Sequence, residues 1–365
     1  MKRNPSVELM RIIACLTVLM CHCNLLLNKA DCNYSLEMYL TGILSDGVTV
    51  FFMITGFFIF NNTSYKKLWR HTFFRIVIPL LVLYITDLFF TEFLTGKCSV
   101  TDSLSHGVEN ITSYLISIVH LDTPSPAMSH TWYVFAYLII ILIFPIIKPF
   151  VMYLNDNKTA QKVFIIISAT LWILNDILMN KLFGFAFHGA GVIIPSTLLV
   201  IWGYVIYQNR YLMTHKVYII ISPVIFLLIN ALRMLSMTII EEKFPDENAN
   251  LFVWYSFFGV INALLVISFC LSVIRNNKPN ATNRFICYMA SFTFGIYLIH
   301  PILQELAKNY GFFTYLHDTL TNVMPTWAYL IIALLISALL SFIACFVICL
   351  AIRLVKKLFV LRKKE

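Results

Sequence analysis

With 59 % hydrophobic residues against 12 % charged over 365 positions and a mean hydropathy of +0.80, the chain is far too apolar for a water-soluble domain and reads as an integral membrane protein. A net charge of +9 could suit a nucleic-acid binder. The placement of that charge excludes the idea: eighteen lysines and arginines fall in segments assigned to one side of a membrane, and only Lys29, Lys97, Lys181, Lys243 and Lys308 to the other. Such asymmetry is a topology signal with attraction to anionic membrane lipids, and it places both termini in the cytoplasm.

Apolar stretches long enough to cross about 30 Å of hydrocarbon occur at 7–27, 45–61, 72–95, 131–154, 160–180, 184–207, 215–237, 251–275, 285–305 and 326–355. The expected fold is therefore all-α and polytopic, with about ten transmembrane helices. A single transmembrane domain over 1–365, with no fused soluble domain, is expected. No cleavable signal is expected, because Glu8 and Arg11 interrupt the first apolar run.

That first run, "ELMRIIACLTVLMCHC" at 8–23, contains two charges and an imidazole. On a helix, Arg11 and His22 fall within about 20° of each other and about 16 Å apart along the axis; Glu8 lies on the same side. Charges in hydrocarbon cost at least about 2.5–3.5 kcal/mol each and usually face a protein-lined cavity. His22, Arg11 and Glu8 are therefore candidate catalytic residues on one water-accessible cleft. The structural alternative is an interfacial Glu8–Arg11 pair with His22 hydrogen-bonded inside the bundle. Cys21 and Cys23 flank His22 on different faces, and no second ligand pair follows at zinc-site spacing, so no metal is implied. A Cys32–Cys98 disulfide between external loops is left open.

In "HTFFRIVIPLL", Arg75 stands four residues before Pro79, with Arg70 and His71 close by. Asp87 and Glu92 come late in the same span. Next, "GVENITSYLISIVH" spaces Ile111, Tyr114, Leu115 and Ile118 as one apolar face, which predicts an amphipathic helix on the outer surface. The external loops, including 28–44 and 306–325, collect acids such as Asp102, Glu109, Asp122, Asp246, Glu247 and Asp318. Asp176, His188 and Arg233 read as interhelical hydrogen-bonding groups. His300 closes "FTFGIYLIHP".

A neutral imidazole takes a proton from a hydroxyl and returns it to a leaving thiolate, while guanidinium forks bind the phosphates of a nucleotide-thioester donor. Acyl transfer fits both. A polytopic carrier or lipid-glycan flippase using the same polar stripe is the alternative.

Four blocks carry a resemblance. "KRNPSVELMRIIACLTVLMCHC" holds Arg11 and His22 with ten residues between them; "DGVTVFFMITGFFIF" holds Thr55-Gly56; "HTWYVFAYLIIILIFPII" holds Trp132 and Pro145; "SFTFGIYLIHP" holds Tyr297 to Pro301. In this order they resemble the acyltransferase 3 family of integral membrane acyltransferases that modify bacterial surface polysaccharides. The resemblance implies transfer of an acyl group, usually acetyl, from cytoplasmic acyl-coenzyme A to a glycan or lipid-linked saccharide hydroxyl. It implies the bacterial cytoplasmic membrane as location and polysaccharide-assembly proteins as partners. Residue by residue, it makes His22 the catalytic histidine, Arg11 an organiser of the donor or active site, and Arg75, with Arg70 and His71, contacts for the coenzyme. His300, Tyr297 and Trp132 become acceptor-site residues. Relatives commonly have paired cations before the third-helix proline, where this chain has Arg75 with Thr72 and Phe73.

Overall fold

The computed structural model describes residues 3–29, 34–94, 98–119, 126–177, 193–243, 256–275 and 280–362. The expected spans at 184–207 and 251–275 begin outside these, and Cys32, Asp122, His188, Asp246 and Glu247 lie wholly outside them. No strand occurs among the described residues.

The first helix, α1 (Pro5–Leu26), starts where its sequence dictates. Asn4 caps it by accepting from the Ser6 amide at 3.1 Å, and Pro5 fills the first turn, where its missing N–H costs nothing. A continuous apolar stretch follows at Tyr34–Ile59, rather than the shorter span expected at 45–61. It is broken at Ser45–Asp46 into α2 (Tyr34–Leu44) and α3 (Gly47–Ile59), so part of the expected external loop 28–44 is helical. The break places the Asp46 carboxylate inside the bundle.

After α4 (Tyr65–Thr72) comes a π-helical turn, Phe73–Val77, that runs into α5 (Ile78–Leu94). Proline at 79 has no N–H for the Arg75 carbonyl and its ring would strike that carbonyl in an ideal helix. The wider turn relieves the clash and carries Arg75. Helix α6 (Val100–Val119) is the expected amphipathic element. Ser103 Oγ donates to the Phe89 carbonyl at 2.8 Å, and Tyr114 bonds Asp87. His106 also meets Glu92 and Tyr114 packs on Tyr84, so α6 lies along α5. Only part of its apolar face turns inward: Tyr114 is buried, while Ile111 and Leu115 are exposed.

A 3₁₀ segment, Pro126–Thr131, leads into α7 (Trp132–Asp156), followed by α8 (Lys158–Ile177) and α9 (Ile193–Gln208). Helices α3 and α9 touch backbone to backbone. A Cβ on Gly56 would land on the Val200 carbonyl, and one on Gly203 on the Met53 carbonyl, so glycine at both positions permits the contact. A 3₁₀ turn, Arg210–Met213, precedes α10 (Tyr218–Lys243) and α11 (Phe257–Val273).

Then α12 (Ala281–Ala290) meets α13 (Thr293–Asn309) at a bend of 51°. Last come α14 (Phe312–Thr321), inside the expected loop 306–325, and α15 (Thr326–Arg362). Each of the ten expected segments overlaps a helix. Among the described residues, six helices are long and apolar enough to cross a membrane, or up to seven if the bent α12–α13 pair is one span. Two more, α9 and α11, are shorter and apolar. The protein is an all-α, multi-pass membrane protein.

One buried ion pair holds the break between α2 and α3. Arg233 of α10 donates to Asp46 at 2.8 and 3.3 Å, to the Gly42 carbonyl at 2.7 Å and to Ser256 at 3.2 Å. Asn262 of α11 adds a bond to Asp46 at 2.7 Å. This is the interhelical role expected of Arg233. Asp176 likewise accepts from the Phe257 amide at 2.8 Å, at the start of α11.

Candidate active site

Two cavities open toward opposite ends of α1. The first, about 580 Å³, is lined by Arg3, Arg11, Lys67, His71 and Arg75, with Thr55, Tyr133, Tyr137 and Tyr297. The bend between α12 and α13 supplies part of its wall through Ala290, Ser291 and Thr293 to Gly295. Such a chamber suits an anionic ligand, because five basic side chains face it and no carboxylate is among the residues lining it.

Glu8 takes no direct part in that lining. It is buried, at 4 % exposure, and holds Arg11 through contacts of 3.2 and 3.1 Å, with Arg3 at 3.9 Å. Its place is that of an orienting partner, the role foreseen in the ion-pair alternative. Arg70 is exposed and lies outside the lining of either cavity. Trp132 also lines neither; it packs against Phe52 and Tyr133, and the adjacent Tyr133 occupies the cavity wall instead.

The second cavity, about 570 Å³, is lined by His22, Asp87, Glu92, His106, Gln304, Glu305 and Lys308, together with serine, threonine and asparagine side chains. It is rich in both donors and acceptors. The amphipathic helix α6 forms one side of it, so that element shapes a chamber as well as covering a surface. At its rim, Glu92, Cys98 and His106 offer ligand atoms within 4.8 Å of one another, the one such group among the described residues. They satisfy each other: His106 Nδ1 lies 2.7 Å from Glu92, and the Cys98 thiol donates to the same carboxylate at 3.7 Å.

Arg11 and His22 therefore do not share one cleft, contrary to expectation. They occupy the same stripe of α1, but about 16 Å of helix separates them and a wall of rings stands between the two chambers. Tyr297 faces the basic cavity and packs 5.3 Å from His130 and 6.0 Å from His300, centroid to centroid. His130 and His300 are 5.3 Å apart. His22, which opens on the second cavity, lies 5.0 Å from His300 and 6.3 Å from His130. The Tyr297 hydroxyl donates to the His130 carbonyl and fixes the wall. His130 was not singled out from the sequence; its one signal is its place two residues ahead of Trp132 in the block "HTWYVFAY".

Helices α1 and α13 are clasped on both sides of this cluster. The Cys15 thiol donates to the Thr293 carbonyl at 3.6 Å, and Gln304 donates to the Leu19 carbonyl at 3.3 Å and to Cys23 at 3.1 Å. His22 is half-buried and the ring of His300 fully buried. The arrangement presents an imidazole to one chamber and cations to the other across a single layer of side chains.

A family model described as "Acyltransferase domain" matches residues 4–346. No curated protein and no solved structure matches the chain.

Proposed function

The chain belongs to this family of membrane acyltransferases, and from that premise we propose that it transfers an acyl group, acetyl in the simplest case, from cytoplasmic acyl-coenzyme A to a hydroxyl of an extracytoplasmic or lipid-linked saccharide. The observation that carries the reading is the pair of unlike cavities meeting at one layer of imidazoles and Tyr297. Arg11, Arg75, Lys67 and His71 hold the donor's phosphates on the cytoplasmic side. Glu8 keeps Arg11 extended toward them. The second chamber, with acids, amides and hydroxyls, suits a saccharide, whose hydroxyls both donate and accept.

For the reaction the acyl end of the donor must pass the layer of rings at Tyr297 to reach His22, which accepts the proton of the acceptor hydroxyl as its oxygen attacks the thioester carbonyl. A carbon–oxygen bond forms, the carbon–sulfur bond breaks, and the imidazolium returns its proton to the departing thiolate. Tyr297 and the three histidines exclude bulk water, which would otherwise hydrolyse the thioester. The protein would act in the bacterial cytoplasmic membrane beside polysaccharide-assembly proteins.

The test is glycan mass in cells carrying the wild-type chain, His22→Ala or Arg11→Ala, with insertion checked by immunoblot of membranes. Loss of one acyl increment in both variants supports the reading. An unchanged glycan mass in His22→Ala cells overturns it, and transport of unmodified saccharide by that variant would favour a carrier.

A further inference from the structure

We infer that His300 is a positioning residue whose Nε2 is held bare to receive a hydrogen bond from the imidazolium of His22 when that cation forms. The inference rests on the reading of His22 as the base. It starts from two adjacent letters, His300-Pro301. In a helix the amide of residue 301 would donate to the carbonyl of residue 297, but proline has no N–H. The Tyr297 carbonyl is left without that donor, and His300 Nδ1 lies 2.7 Å from it. A carbonyl only accepts, so Nδ1 carries the proton and Nε2 of the neutral ring carries a lone pair.

That Nε2 is buried and has no hydrogen-bond partner. Such exceptions are costly, and each calls for an explanation. Packed at 5.0 Å from His22, with α1 and α13 clasped on either side, the ring is pre-set to share a charge that appears only during turnover. His22 and His130 pack on His300, and His22 itself faces Asp87, Glu92, His106, Glu305 and Lys308 across the second cavity. A carboxylate in its place would hold His22 permanently charged; a neutral acceptor leaves it free to start as a base. No proton moves to His300. It accepts a hydrogen bond and returns to its resting state when the thiolate takes the proton.

Asparagine and glutamine separate the two edges of the ring. His300→Asn keeps a donor for the Tyr297 carbonyl and loses the distal acceptor; His300→Gln keeps a distal acceptor and loses that bond. The assay uses inside-out membrane vesicles with the full chain and its native glycan, supplied with labelled acetyl-coenzyme A, across a pH series.

His300→Asn should lower the maximal rate about 10- to 100-fold, leave the KM for the donor unchanged and shift the acid limb to lower pH, because the imidazolium has lost a stabilising partner. His300→Gln should retain the wild-type limb. Equal behaviour of the two variants, or a uniform loss at every pH with the limb unmoved, overturns the inference while leaving His22 as the base. Full activity of His22→Ala in the same vesicles would instead overturn the underlying function.

Discussion

Arg233 and His300 are both fully buried, yet their surroundings differ in kind. Arg233 is saturated: Asp46, Gly42 and Ser256 take its protons, and Asn262 supports the carboxylate from the far side. His300 has one edge bonded and one edge bare. A permanent charge in a low-dielectric interior must be neutralised at once and for good, so its partners make it a structural pin. A charge that comes and goes on a neighbour, as proposed for His22, needs a partner left free to meet it. Burial alone does not separate a structural pin from a positioning group; completeness of partnering does.

Breaking the pin should have the largest effect. Asp46→Ala leaves a guanidinium stranded and should cost about 3–5 kcal/mol, seen as loss of monodisperse protein by detergent size-exclusion chromatography. Asp46→Leu with Arg233→Met should recover much of it, because removing both partners leaves no stranded charge. If the double variant is as damaged as the single, the pair does more than hold α2–α3 to α10.

His22→Ala reverses the profile, with a loss of about 10²- to 10⁴-fold in acyl transfer and little change in thermal melting. A collapse of stability would place His22 with Arg233. Arg11→Lys comes next: it keeps the charge but gives up the planar fork, and should raise the donor KM about tenfold. Its cost in stability should be small, since lysine keeps a positive charge beside the buried Glu8.

The smallest effect belongs to the exposed rim. Bonding to Glu92, then its negative charge, raises the His106 pKa above its ordinary value. A raised pKa stabilises the folded protein fully below the unfolded-state value, near ~6.5, and that contribution disappears as pH rises through the folded-state value. Glu92→Gln should therefore melt slightly lower than wild type in mildly acidic buffer and equally in alkaline buffer, with the gap narrowed by salt. A gap that persists at high pH would assign Glu92 another role.

The stripe of Glu8, Arg11 and His22 was legible because helix geometry needs only spacing, and Arg75 because a proline marks its turn. What stayed hidden depends on contacts distant in sequence. His130 matters only once the 3₁₀ segment 126–131 is laid against α13, and the Asp46–Arg233 pair joins residues 187 positions apart. The expected single cleft failed because spacing reports direction along α1 but not what stands between two points on it, here the ring of Tyr297. The helix at 312–321 sits in a stretch too short and polar to read as a span, although Phe313 and Leu316 bury themselves against the bundle.

A centre served from both faces of a membrane is also a hazard, for any continuous file of water through it would conduct protons and drain the gradient that powers the cell. On the proposed function, the ring of Tyr297, fastened by its hydroxyl to the backbone of residue 130, would act as an insulator between the two chambers. Chemistry would then cross the barrier one group at a time while current would not. Widening this single layer, for instance with Tyr297→Gly, is expected to register first as an ion conductance in reconstituted bilayers.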